Sequence, residues 1–304
     1  MALANDALRG SYTPVVTPFR DGRVDLDTYE RLVEQQVAGG SQGVVVNGTS
    51  AEPSTLTTAE RSDLVRAAVS AAAGRISVVA ATGSQSYAET LQLTREAADA
   101  GVDAVMVVTP YYIRPPQRGL VRYFAEIGGA VDVPMLLYHI PGRAAVAVDL
   151  DTLEAIAEAA PNFVGMKHAS DDLGLVTESI SRLGADFRVF VGLEELSLPM
   201  LAIGASGVMN AVGNLAPGRI ADLCRAVSDG DLTRARALHY ELFELNRAVF
   251  WDTNPIPIKY MMRVMGLLEM NEHRLPMLPA SEELEFRLDE LLFEVGLRDA
   301  RVSA

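Results

Sequence analysis

The chemistry of this chain starts at Lys167. It closes a short apolar run, Phe163-Val164-Gly165-Met166-Lys167, ahead of the polar stretch His168-Ala169-Ser170-Asp171-Asp172. An amine at the carboxyl end of a buried strand stands where barrel enzymes place their reacting groups. Partial desolvation there favours the neutral amine, the form that attacks a ketone to give a Schiff base. A solvated surface charge fits the same local sequence. Three more polar sets follow apolar runs. Asn47-Gly48-Thr49-Ser50-Ala51-Glu52 offers backbone N–H groups and two hydroxyls suited to a small carboxylate, or else forms an ordinary turn. Thr109-Pro110-Tyr111-Tyr112 brings paired tyrosines, either packing aromatics or proton carriers. Tyr138-His139-Ile140-Pro141-Gly142-Arg143 brings a hydroxyl able to shuttle protons and a planar guanidinium for a carboxylate. His139 reads as a loop-packing or hydrogen-bonding residue rather than a metal ligand. Together these residues fit carbonyl chemistry on an acid substrate.

To bring such residues together, the chain needs a frame that gathers strand ends. Eight β-rich runs are predicted: 13–18, 43–47, 76–80, 104–109, 135–138, 163–167, 188–191 and 207–209. Most are nearly continuous in apolar residues, as strands covered on both faces are. Helical patterns lie between them at 27–38, 58–73, 86–100, 117–128, 149–159, 173–183, 195–203 and 217–228. The second opens with a polar cap and early acid (Thr-Ala-Glu), and the third ends at Gly101. Eight βα units at roughly 30-residue spacing predict a (β/α)8 TIM barrel. A doubly wound sheet would want a Gly-rich phosphate turn after the first strand, and no GxGxxG stands there. The alternation stops after Ser228, and helices are predicted over 231–250, 256–266 and 281–296. Residues 1–228 therefore read as the catalytic barrel and 229–304 as a C-terminal helical region. The acidic run Glu282-Glu283-Leu284-Glu285 reads as a solvated helix start.

Composition narrows the partners. A net charge of −14 argues against nucleic acid and against an anionic membrane surface, and requires a local basic group for an acidic substrate. The lone cysteine, Cys224, rules out an intrachain disulfide. His139, His168, His239 and His273 show no HxxxH or HExxH spacing, so no metal is expected. Met1–Gly10 lacks the pattern of a signal peptide, and no apolar run reaches membrane-span length, so a cytoplasmic location is the default expectation.

The assembled set resembles the dihydrodipicolinate synthase / N-acetylneuraminate lyase family of pyruvate-handling class I aldolases. The similarity runs from Pro14-Val15-Val16-Thr17-Pro18-Phe19 to Asn254-Pro255-Ile256-Pro257-Ile258-Lys259. It includes the Gly48–Glu52 turn, Pro110-Tyr111-Tyr112 with Arg114-Pro115, Tyr138 with Pro141-Gly142-Arg143, and Gly165-Met166-Lys167. The resemblance implies that Lys167 forms an imine with pyruvate, giving an enamine nucleophile without any external cofactor. It implies that Tyr138 is the general acid/base and that Thr49 and Tyr112 complete a proton relay, Tyr112 from a neighbouring subunit. Thr49 and Ser50 would hold the pyruvate carboxylate, Arg143 the carboxylate of the incoming aldehyde, and the backbone at Gly192 and Met209 would line the site. It also implies a homotetramer.

The departures from the family pattern are His168 where it usually has Glu, Ala51 for Gly, His139 where synthases often have Asn, and Leu193 where lysine-pathway synthases commonly have Asp. At the family's lysine-feedback site Glu89 and Tyr111 match but Arg61 replaces histidine, which argues against regulation by lysine. Arg143 favours an aldehyde with its own carboxylate, either aspartate semialdehyde or succinate semialdehyde, over a sugar acid. His168 and Leu193 suggest less provision for an ammonium group, which makes His168 a candidate substrate contact. The alternatives are a sugar-acid aldolase or dehydratase of the same family, and a barrel that binds pyruvate-like acids without turnover.

Overall fold

A computed structural model describes residues 7–298. Residues 1–6 and 299–304, the outer ends of the two expected regions, lie outside it, as does most of the Met1–Gly10 segment weighed as a leader. Eight parallel strands close into a barrel: Gly10–Pro14, Gly43–Val46, Ser77–Ala81, Ala104–Val108, Met135–His139, Phe163–His168, Arg188–Val191 and Gly207–Met209. They follow one another around it in chain order, the eighth pairing back onto the first through Gly10↔Gly207 and Tyr12↔Met209. Along each strand successive side chains alternate between the barrel interior and the helix layer. Tyr12, Val45, Val79, Met106, Leu136, Tyr138, Phe190 and Met209 pack together inside. Val44, Val46, Val78, Val105, Leu137, Met166 and Val189 pack outward under the helices. Both faces are dry, which is why the strands read as continuous apolar runs. Space inside is tight: a Cβ at Gly165 would stand 2.0 Å from the Arg188 carbonyl oxygen.

The first strand lies earlier than predicted, at 10–14 rather than 13–18. Val15 and Val16 are buried, which explains the apolar signal. The ladder itself is made by Gly10–Pro14, and beyond it the Val16 N–H turns to the Asn214 side chain at 3.3 Å. The other strands agree with expectation to within a residue at each end.

The helices form where caps and apolar faces coincide. Thr57 and Glu60 make a reciprocal capping box at the start of Thr58–Ala72. Asp149 and Asp172 cap Leu150–Ala159 and Leu173–Leu183 by accepting backbone N–H groups. The helical pattern at 195–203 resolves into a 3-10 turn, Glu194–Leu196, and a short helix, Ser197–Ala202. The 231–250 pattern is two helices, Leu232–Glu241 and Phe243–Ala248, meeting at Leu242. Ile256–Val264 and Glu282–Glu294 complete the C-terminal helices. The acidic run opens the last of them with only Leu284 buried. Leu238, Leu245, Met261, Leu288 and Leu292 belong to the same core as the barrel's outer face, so the C-terminal helices are packed onto the barrel and not tethered beside it. A two-stranded hairpin, Phe19–Arg20 with Arg23–Val24, was not foreseen. Its strands are too short to carry a periodic signal.

Candidate active site

Tyr138 and Lys167 face each other across the fifth and sixth strands, paired in register. Both point into the barrel at its carboxyl rim. Lys167 is 4% exposed, and its amine stands 4.5 Å from the centre of the Tyr138 ring. The Tyr138 hydroxyl is 3.2 Å from Thr49 Oγ1, so a proton can pass between the second and fifth strands along that bond. Above them opens a cleft of about 580 Å³, lined among others by Gly48, Thr49, Tyr138 and Arg143. Arg143 sits on the short helix Pro141–Ala144 that follows the fifth strand. Its guanidinium has no protein acceptor among the described residues and is free to bind an anion. The cleft thus carries a hydroxyl pair and a cation, with the Lys167 amine against the Tyr138 ring beside them, the equipment for adding a nucleophile to the carbonyl of an acid.

The Gly48–Glu52 turn is held from below. Thr49–Ala51 form a 3-10 turn that ends in Glu52, which takes the left-handed conformation at φ 54°. Ala51 has an ordinary backbone, so the position needs no glycine. Ser50 Oγ accepts from the Asn254 amide at 3.1 Å. Glu52 makes a fully buried ion pair with Lys259, 2.9 Å, on the C-terminal helix Ile256–Val264. His273 Nδ1 lies 3.3 Å from its other oxygen. Burial pushes the Glu52 carboxyl upward, but the His273 hydrogen bond and the Lys259 charge outweigh it and hold the group below the usual carboxylate range. Burial pulls the Lys259 ammonium down, against the opposing charge of Glu52. The Lys259 amine also lies over the face of Phe19, 4.5 Å from the ring centre. Sequence reading gave this clamp no role. The signal was present: Lys167 and Lys259 are the chain's two lysines, every other basic side chain of that length being arginine.

Among the other expected site residues, Gly192 and Met209 lie where their neighbours are the reacting groups. Met209 is buried in the barrel interior with Tyr138. A Cβ at Gly192 would come within 2.9 Å of Lys167 Cε, so only a glycine leaves room for the extended lysine. Tyr112 is not brought to the relay within one chain. Its ring is 86% exposed and does not line the cleft, whereas its neighbour Tyr111 does.

His168 needs correction as a substrate contact. It is one residue past Lys167 on a strand, so its side chain takes the opposite face, toward the helix layer. It is fully buried at 0% exposure, stacked on its register partner His139 with ring centres 5.1 Å apart. The two Nδ1 atoms are 3.0 Å apart. Burial and the neighbouring ring lower His139 to about 4, and burial lowers His168 too. Two neutral imidazoles sharing an Nδ1–Nδ1 bond must be different tautomers, one donating and the other accepting. His139 is thus a packing and hydrogen-bonding residue, as its sequence context suggested.

Among the described residues no cluster of three or more His, Cys, Asp or Glu side chains is arranged to hold a metal, and no helix is long and apolar enough to cross a membrane.

A closed (β/α)8 barrel with this rim is a carbon–carbon or carbon–oxygen lyase of the class I aldolase kind. The comparisons narrow the class. Residues 7–294 match the family model described as the dihydrodipicolinate synthetase family. A 4-hydroxy-tetrahydrodipicolinate synthase of Thermus thermophilus is 47% identical over 290 residues, covering 95% of this chain and 97% of that one. The solved dihydrodipicolinate synthase of Aquifex aeolicus superposes with a TM-score of 0.93 at 39% identity, covering 95% and 98% of the two chains. A structure described as the first monomeric dihydrodipicolinate synthase variant gives a TM-score of 0.92 at 37% identity over 95% and 97%. The chain belongs to the dihydrodipicolinate synthetase family.

Proposed function

We propose that the enzyme condenses pyruvate with aspartate semialdehyde through an imine on Lys167. The observation that carries this reading is the Lys167–Tyr138–Thr49 constellation, with Lys167 and Tyr138 buried, beside an open cleft with a free arginine. The neutral amine adds to the pyruvate ketone carbon, forming the C–N bond, and the carbinolamine loses water as its oxygen is protonated. Tyr138, bonded to Thr49, gives and takes those protons. The resulting iminium withdraws electrons from the adjacent methyl group, whose proton leaves to give an enamine. The enamine carbon bonds to the aldehyde carbon, the new alkoxide takes up a proton, and water adds to the regenerated iminium so that the C–N bond breaks and Lys167 is freed as the amine. Thr49 and Ser50 hold the pyruvate carboxylate, and Arg143 pairs with the carboxylate of the aldehyde. The chemistry uses no metal or external cofactor.

Relatives named 4-hydroxy-tetrahydrodipicolinate synthase support aspartate semialdehyde as the second substrate. Leu193, where an acidic partner for the substrate's ammonium is expected, favours succinate semialdehyde as the second reading. Arg61, Glu89 and Tyr111 all line one arm of the cleft, and the buried Arg61 charge there disfavours a cationic effector such as lysine. We read the working form as a homotetramer in which Tyr112 completes the relay of a neighbouring subunit. That a monomeric variant merits description supports assembly as the usual state of such proteins.

Borohydride added with pyruvate tests the core of this reading. With only two lysines, a single intact-mass increment followed by peptide mapping assigns the adduct. We expect it on Lys167 and lost in Lys167→Ala; no adduct near neutral pH would favour a binding protein without turnover. Turnover with each semialdehyde decides the second substrate, and a clear preference for succinate semialdehyde would overturn the synthase reading.

A further inference from the structure

One buried acid in the site region is left without a role. Glu194 opens the 3-10 turn Glu194–Leu196 that follows the seventh strand, two residues after Gly192. Gly192 is the residue whose lack of a side chain leaves room for Lys167, a Cβ there coming within 2.9 Å of Lys167 Cε, and its N–H donates to the His168 carbonyl at 2.8 Å. The loop that carries Glu194 therefore lies directly against the reactive lysine.

The Glu194 side chain is held rigidly. Its Oε1 accepts the Ala211 N–H at 2.7 Å, tying the end of the seventh strand to the end of the eighth. Its own carbonyl accepts from Ser197 Oγ at 2.7 Å and from the Asn246 amide at 3.4 Å. The carboxyl is 2% exposed, and Oε2 has no hydrogen-bond partner. A carboxyl so placed favours its protonated form unless a cation faces it. The groups around it are few. Ser197 on its own segment, Asn210 after the eighth strand and Asn246 on the Phe243–Ala248 helix are neutral. Glu195 on the same turn adds a negative charge, and Arg247 on that helix is drawn outward to Glu195 at 3.9 Å. The cation that acts on Glu194 is Lys167. Burial pushes the group up to about 7, the Ala211 N–H and the Lys167 charge opposing it. Lys167 in turn has no bonded carboxylate among the described residues, unlike Lys259.

We propose that Glu194 is a positioning residue that compensates the charge of Lys167. As a carboxylate it stabilises the ammonium and the iminium from a distance, and it holds a proton when the lysine is neutral. The inference rests on Lys167 being the imine-forming residue. A bonded carboxylate would lock the ammonium and stop the attack on the ketone. A carboxylate set back behind the loop biases the amine without occupying it.

The sign of the effect is fixed by electrostatics. Removing the negative charge disfavours the cationic forms, so the ammonium and the iminium both become less stable relative to the neutral amine. Glu194→Gln keeps an oxygen for the Ala211 N–H while removing the charge. The measurement is the rate of borohydride-trapped pyruvate adduct on Lys167 between about pH 5 and pH 9. We expect the Glu194→Gln profile to be displaced toward lower pH, with a several-fold rise in the pyruvate concentration for half-maximal trapping. A Glu194→Gln profile superimposed on the wild type, with Glu194→Ala alone impaired, would make Glu194 a strut to Ala211 and overturn the proposal. Should Glu194→Gln fold poorly, carbon-13-edited infrared spectra of glutamate-labelled protein test the same coupling. The buried protonated-carboxyl band should titrate near neutrality in the wild type and persist to higher pH in Lys167→Met; no difference between the two overturns it. Absence of any adduct in the wild type would sink the imine reading instead, and the infrared comparison remains informative in that case.

Discussion

The chain's two lysines are both buried and have opposite uses. Lys259 is bonded to Glu52 at 2.9 Å, donates to the Glu272 carbonyl and lies on the Phe19 ring. These bonded partners hold a fixed cation against the cost of burial, and the pair ties the C-terminal helices to the turn after the second strand. Lys167 lies against a tyrosine ring whose hydroxyl relay lines an open cleft, and no carboxylate is bonded to it among the described residues. Burial alone does not make a lysine reactive. What separates the two is whether the ammonium has a bonded counter-charge that outlasts the approach of a substrate.

The sharpest way to press this comparison is at the Lys167 side. Tyr138→Phe keeps the ring under the amine and removes the hydroxyl. We expect turnover to fall by roughly 10²–10⁴-fold with little loss of stability, measured by steady-state kinetics and thermal unfolding. An unchanged kcat would remove Tyr138 from the proton path. On the other side, Lys259→Met leaves Glu52 as a buried, half-paired carboxylate. We expect about 3–5 kcal/mol of destabilisation in denaturant titrations, with the pyruvate adduct still forming on Lys167 in the folded fraction. Comparable stability to the wild type would show that the clamp is not held by charge.

Smaller effects refine the contrast between what faces the cleft and what faces the helices. Arg143→Ala should raise the KM for the semialdehyde by roughly 10- to 100-fold, the worth of a hydrogen bond to a charged group, while pyruvate trapping is unchanged. A rise in the pyruvate requirement instead would move Arg143 to the other carboxylate. The His139–His168 pair acts on stability alone and only under acid conditions. Its folded affinity for protons is below that of the unfolded chain, so the unfolded state binds more protons as pH falls. Stability should therefore be intact above about pH 6.5 and decline down to about pH 4, by about 3 kcal/mol at most from His139. His139→Asn should flatten that slope; an unaltered slope would place the acid sensitivity elsewhere.

His168 also shows where sequence reading stops. Beside Lys167 in the chain, it looked like a substrate contact. The two-residue period of a strand turns it to the other face, and one position decides between a reacting group and a packed ring. Tyr112 and Tyr111 show the same limit in a loop, where no periodicity says which ring turns inward. The first strand was misplaced because burial of Val15 and Val16 was read as strand pairing. Ala51 was legible as a departure, but its harmlessness was not, since only the backbone shows that Glu52 and not Ala51 takes the left-handed turn.

By itself the sequence determined the eight-fold alternation, the barrel, and the rim on which Lys167, Tyr138, Thr49 and Arg143 stand, because period, caps and strand ends are local signals. Only the tertiary structure decided which charges meet. Glu52 and Lys259 are 207 positions apart and Glu194 reaches across to the Ala211 N–H, pairings set by how the barrel closes and not by any spacing along the chain. The identity of the two lysines was written in the sequence, and their division of labour arose from the partners that folding placed beside each.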